Sequence, residues 1–223
     1  TKVRPLRALL QLGGFADWFA WRPELGTRAL VVPLDAPDRV QRVDLPPFWF
    51  FHVGATARRP TAVEVDVVAS VDDTVVRTLG TDVPAPPALY TRLRVPLRGG
   101  EATRDVLFDD ACEFPRVDPR HEGAGPRFAW VSVRGGGVAR LDLDAGAHQV
   151  WRPGADVATS EPVFVPRGPA EGAGWVLCLA HEAERDESVV LVLDAEDLGA
   201  GPRARVRWGQ TIPTTYHGCF VPS

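Results

Sequence analysis

Apolar and polar positions alternate with a period near two along most of the chain. The clearest runs are Ala29 to Leu34, Phe48 to Val53, Ala62 to Ala69, Leu89 to Leu97, Phe128 to Val133 and Val138 to Leu143. Pro162 to Val165, Trp175 to Ala180, Val189 to Leu193, Ala204 to Trp208 and Tyr216 to Val221 continue the series. Turn clusters such as Asp35-Ala36-Pro37-Asp38, Arg98-Gly99-Gly100 and Asp144-Ala145-Gly146 fall between them. Short strands with such punctuation predict an all-β meander, either a sandwich or a propeller. Only Arg4 to Leu12 has a helix-compatible pattern. No sequence repeat is visible, so a propeller here is of the divergent, enzymatic kind. Within Val63-Glu64-Val65-Asp66-Val67 the acids are expected on the solvent face of a half-buried strand.

Two histidines stand out against this pattern. His52 lies in Phe48-Trp49-Phe50-Phe51-His52-Val53 and His217 in Thr215-Tyr216-His217-Gly218-Cys219-Phe220. Both read as imidazoles carried inward on strands. A buried ring needs a partner for each nitrogen, which backbone groups supply in an ordinary core histidine, or a metal and a carboxylate in a ligand site. Glu113 and Glu161 each open a proline-containing apolar step, Glu113-Phe114-Pro115-Arg116 and Glu161-Pro162-Val163-Phe164. On spacing alone they are either surface acids or acceptors for a ligand's N–H. His121, His148 and His181 sit in polar or strand-end contexts that favour exposed, structural roles.

Composition narrows the function classes. With 223 residues, 45% hydrophobic and 24% charged, the chain is expected to be globular with one sizeable core. A net charge of −4, with arginines scattered among 29 acids, gives no footprint for nucleic acid. No apolar run approaches the roughly 20 residues of a membrane span, so a cytoplasmic location is expected, with peripheral membrane contact left open. Cys112, Cys178 and Cys219 are too far apart for a zinc ribbon and are expected as reduced thiols. The chain contains no methionine, even at position 1, from which a piece of a longer protein is expected. Arg134-Gly135-Gly136-Gly137 lacks the Lys-Ser/Thr of a phosphate loop and reads as a hairpin turn. No Gly-x-Ser-x-Gly elbow is present. On a strand, Cys219 and His217 would share one face, a weak candidate for a thiolate–imidazole pair.

Several segments, in order, resemble the C-terminal half of the carotenoid cleavage oxygenases, a family that includes stilbene-cleaving dioxygenases and the retinoid isomerohydrolase. These are Trp21-Arg22-Pro23-Glu24-Leu25-Gly26-Thr27-Arg28, the aromatic run ending in His52, Glu113-Phe114-Pro115-Arg116-Val117-Asp118, Ser160-Glu161-Pro162-Val163-Phe164-Val165-Pro166, Trp175-Val176-Leu177, Leu193-Asp194-Ala195 and Ile212-Pro213-Thr214-Thr215-Tyr216-His217-Gly218. The resemblance implies that residues 1–223 are the C-terminal portion of one seven-bladed β-propeller domain. It also implies Fe(2+) held by four histidines, of which this sequence carries His52 and His217, with Glu113 and Glu161 as acceptors behind the rings. Gly218 would then admit a close neighbouring strand. The implied reaction is cleavage of a conjugated C=C bond of a carotenoid, apocarotenoid or stilbene by O2 to two carbonyl products. With two of four ligands, the chain alone is expected to be inactive. One departure is clear: the family's His-x-x-Asn-Ala-Tyr/Trp-Glu reads His52-Val53-Gly54-Ala55-Thr56-Ala57-Arg58 here. The alternative readings are a non-catalytic β-rich module of the same descent and a hydrolase with a Cys or Ser nucleophile.

Overall fold

The computed structural model describes residues 2–81, 83–213 and 215–221; Thr214 of the closing motif lies outside them. Two short ribbons lead the chain. β1 (Lys2–Val3) pairs with β2 (Phe19–Ala20) around a short helix, Pro5–Leu9, and β3 (Thr27–Val31) pairs with β4 (Gln41–Leu45). Three four-stranded antiparallel meanders follow, each a propeller blade. The first is β5 (Trp49–Arg58), β6 (Ala62–Ser70), β7 (Leu89–Pro96) and β8 (Thr103–Phe108). The second is β9 (Cys112–Val117), β10 (Phe128–Val133), β11 (Val138–Asp142) and β12 (Ala147–Trp151). The third is β13 (Val157–Pro166), β14 (Gly174–Glu182), β15 (Glu187–Asp194) and β16 (Pro202–Arg207). Among the described residues no helix is long and apolar enough to cross a membrane.

Strand alternation explains how the blades stack. On β10, Phe128 and Trp130 join the core shared with the third blade, while Ala129, Val131 and Val133 join the core shared with the first. A strand buried on both faces reads as a continuous apolar run. Trp130 stacks on Phe164 of β13 with ring centroids 4.2 Å apart, a contact worth about 0.5–1.5 kcal/mol beyond its buried area.

Two expectations are overturned, the first by this same two-sided burial. Glu64 and Asp66 are buried, because the face they share with Val68 and Tyr90 lies against the second blade. Their charges are neutralised by Arg59 and Arg94 on Glu64 and by a two-pronged Arg92 on Asp66. Tyr216 to Val221 is not a strand; after β16 the chain runs irregularly. It is stitched to the third blade by Ser188, whose hydroxyl accepts from the Ile212 N–H at 3.0 Å. The glycines of Arg134-Gly135-Gly136-Gly137 do form the β10–β11 turn, all three at positive φ.

Candidate metal centre

β5, β9 and β13 open the three blades in sequence and lie together. Each carries an extra residue where the site residues fall. On β5 the pairing with β6 slips by one residue between Phe50 and Val53, so Phe51 and His52 together face Val68. On β9 it slips between Glu113 and Arg116, and Phe114 there adopts a left-handed backbone with φ 54°. On β13 it slips between Thr159 and Pro162, at Ser160 and Glu161. Bulges re-aim side chains, and a non-glycine residue at positive φ stores strain that the surrounding structure must hold.

These bulges bring His52 and Glu113 together, 61 positions apart in sequence, with Nδ1 2.6 Å from Oε2. Glu113 also accepts from the Phe114 N–H at 2.8 Å. His217 meets Glu161, with Nδ1 3.2 Å from Oε1. Glu161 is 5% exposed and held from three sides. Arg116 donates to both its oxygens at 2.8 Å, and the Gly218 N–H donates to Oε2 at 2.8 Å. Arg116 also donates to the Gly218 carbonyl at 2.7 Å. Burial pushes the Glu161 carboxyl up, but Arg116, the Gly218 N–H and His217 outweigh it and hold it below the ordinary carboxylate value. The His52 imidazole is held above its usual value by its hydrogen bond to Glu113, against opposing burial.

The two rings then meet each other. Their Nε2 atoms are 3.3 Å apart, and Phe114 packs against both. A carboxylate only accepts, so each Nδ1 carries a proton, and in a neutral ring Nε2 then presents a lone pair. Two facing lone pairs repel unless a proton or a metal cation lies between them. A separation of 3.3 Å also suits two imidazoles at adjacent positions of one first-row ion with bonds of about 2.1 Å. The donor set therefore fits part of a metal centre. Among the described residues no group of three or more His, Cys, Asp or Glu is arranged to complete it.

The other predicted features lie elsewhere. His121 is 3.9 Å from Glu171, His181 is 3.1 Å from Asp186, and His148 lies edge-on to Phe108. Because His217 and Cys219 are not on a strand, their shared-face argument lapses, and no hydrogen bond joins them among the described residues. Burial pushes the Cys112 and Cys178 thiols up to about 12, which removes them as thiolate nucleophiles. Gly218 matters through its N–H and C=O; a Cβ there would meet only Val163, at an ordinary 3.7 Å. Sequence reasoning gave no role to Arg116, although a base three residues beyond Glu113 was the available signal. A cleft of about 500 Å³ adjoins the site, lined among others by Val53, Pro115, Arg116, Phe164 and Phe220.

A family profile described as retinal pigment epithelial membrane protein matches residues 3–222. The chain belongs to the carotenoid cleavage oxygenase family. It is 26% identical over 234 residues to an isoeugenol monooxygenase of Pseudomonas nitroreducens, covering 92% of this chain and 48% of that protein. It is 25% identical to the apocarotenoid-15,15'-oxygenase of Synechocystis, covering 96% and 46%. A carotenoid cleavage oxygenase of Mycobacterium tuberculosis is 30% identical, covering 92% and 44%. The lignostilbene dioxygenase structure of Pseudomonas brassicacearum superposes with a TM-score of 0.87 at 25% identity, over 100% of this chain and 51% of that one. That of cobalt-substituted Synechocystis ACO gives 0.87 at 22% identity, over 100% and 49%. The carotenoid cleavage oxygenase relatives are thus about twice as long as this chain, and the propeller expected from sequence is the fold they share with it.

Proposed function

We propose that this chain supplies half of the Fe(II) site of an oxygenase that cleaves a conjugated C=C bond of a carotenoid, apocarotenoid or stilbene-like substrate to two carbonyl products. The observation that carries the reading is the pair of facing Nε2 atoms, 3.3 Å apart, each backed by a carboxylate. The names of the relatives, which include apocarotenoid and stilbene oxygenases as well as a monooxygenase, support the substrate class.

When bound, Fe(II) would supply the activation of O2 that a polypeptide lacks. The chain's own residues do the rest. His52 and His217 hold the ion through Nε2. Glu113 and Glu161 fix the tautomer of each ring and raise its basicity. Arg116 keeps Glu161 ionised without reaching the rings itself. Phe114 packs against both imidazoles, tilted by 43° to His52 and edge-on to His217, and so limits how either ring can swing. The adjoining cleft is walled by Val53, Pro115 and Phe164 together with the charged Arg116 and Glu122, and it borders the site through Arg116 and Gly218.

The test is incubation of the protein carrying this chain with a carotenoid, an apocarotenoid and a stilbene under air, with aldehyde products measured by mass spectrometry. Aldehydes from one class, lost on His217→Ala, are expected. Product formation that survives His217→Ala would refute the assignment.

A further inference from the structure

We propose that Tyr90 is a positioning residue for His52, its hydroxyl holding the bulge in β5 that aims the imidazole at His217. The functional meaning of this inference rests on the reading of His52 as an iron ligand.

β5 has a second irregularity besides the one at His52. Its pairing with β6 slips again between Val53 and Thr56, so Gly54 and Ala55 together face Asp66. Side chains alternate along a strand, so each extra residue reverses the faces of everything on one side of it. His52 lies between β5's N-terminal end and this second bulge; losing the bulge would turn the ring away from His217. A bulge also leaves an N–H without its ladder acceptor, and a buried one must find another. Here the Ala55 N–H donates to the Tyr90 hydroxyl at 3.3 Å. That hydroxyl donates in turn to Asp66 Oδ2 at 3.2 Å, the residue opposite the bulge. Asp66 is fixed by Arg92, which donates at 2.7 and 2.9 Å.

Gly54 fits the same device. A Cβ there would lie 2.8 Å from the Tyr90 hydroxyl oxygen and 3.0 Å from its ring, so only glycine lets the phenol reach Ala55. Tyr90 is completely buried, and burial holds its phenol well above the usual value, so at neutral pH the hydroxyl both accepts and donates. The device sits where the chain departs from the resembled His-x-x-Asn-Ala pattern, with Ala55 in place of the asparagine.

The test uses the protein carrying this chain, with ¹⁵N-labelled histidine and amide hydrogen exchange, comparing Tyr90→Phe with Leu141→Ala. Leu141 lies in the same core cluster as Tyr90 but on β11, away from the hydroxyl. Tyr90→Phe should speed Ala55 exchange more than about tenfold, move the His52 ring resonances, leave those of His148 and His181 unchanged, and weaken Fe(II) binding about tenfold. Asp66→Asn should move His52 in the same direction, which keeps the inference testable if Tyr90→Phe folds poorly. Wild-type Ala55 exchange and His52 resonances in Tyr90→Phe would overturn the inference, as would an equal displacement of His52 by Leu141→Ala. Fe(II) that binds wild type no better than His52→Ala would refute the iron reading alone, leaving the effect of Tyr90 on His52 intact.

Discussion

His52 and His217 present the same nitrogen to the same point, yet they are held in opposite ways. His52 stands on a strand, its side chain 26% exposed, and its backbone is fixed before Glu113 touches it. His217 lies on an irregular segment, its side chain 56% exposed, and its neighbours are fixed chiefly through Glu161. On the first side the ring is placed and the carboxylate follows. On the second the carboxylate is placed, by Arg116, and the ring is brought to it. Damage to the two carboxylates should therefore spread differently.

The largest effect is expected from Glu161→Ala. It strips the bidentate partner from Arg116 and the acceptor from Gly218, so stability should fall by about 2–3 kcal/mol in urea titrations, at or below the low end for broken buried pairs because Arg116 can reach water. Gly218 exchange should quicken while Ala55 stays protected. Glu113→Ala should cost less, about 1–2 kcal/mol for two lost hydrogen bonds, to His52 and from the Phe114 N–H. It should leave Gly218 protected but weaken Fe(II) binding about tenfold, read by competition with a chelator. Equal exchange changes at Gly218 in the two variants would erase the contrast drawn here.

The smallest effect serves as a reference outside the site. Asp142 pairs with Arg127 on the second blade, and this bond, helped by the Ala145 and Asp144 N–H groups, holds its carboxyl near 2 against burial. A lowered carboxyl stabilises the fold above its unfolded value near 4, and that contribution fades as pH falls through about 2. Asp142→Asn should cost less than about 1 kcal/mol at pH 7, flatten acid unfolding in that window, and leave Fe(II) binding unchanged.

Much of the fold was legible because central strands are buried on both faces and read as unbroken apolar runs, as in Phe128 to Val133. Among the strands that escaped notice, three have plain physical reasons. β8 and β12 are outer edges with exposed polar residues, such as Thr103, Arg104 and Gln149, and β9 is interrupted by Pro115 and the left-handed Phe114. Alternation alone could not tell a solvent face from a face against the next blade, so Glu64 and Asp66 were misplaced. Within the site, the histidines and glutamates were visible as residue types in ordered segments. Their meeting was implied by the family resemblance alone; alternation could not show it, because it depends on one-residue slips in three strands, and no period in the sequence marks a bulge. His217 looked like a strand residue since Tyr216 to Val221 mixes apolar and small residues, yet the backbone bonds of the adjoining Gly218 go to Glu161 and Arg116 instead of a ladder.

The central claim is that His52 and His217 are neighbouring ligands of one Fe(II) ion. The direct measurement is the iron content of the protein carrying this chain after anaerobic loading and desalting, in wild type and in His52→Ala, His217→Ala and His121→Ala. The account predicts about one retained iron in wild type and His121→Ala and its loss in both of the others, since removing one imidazole opens the site. Iron retained at the wild-type level in His217→Ala would contradict it.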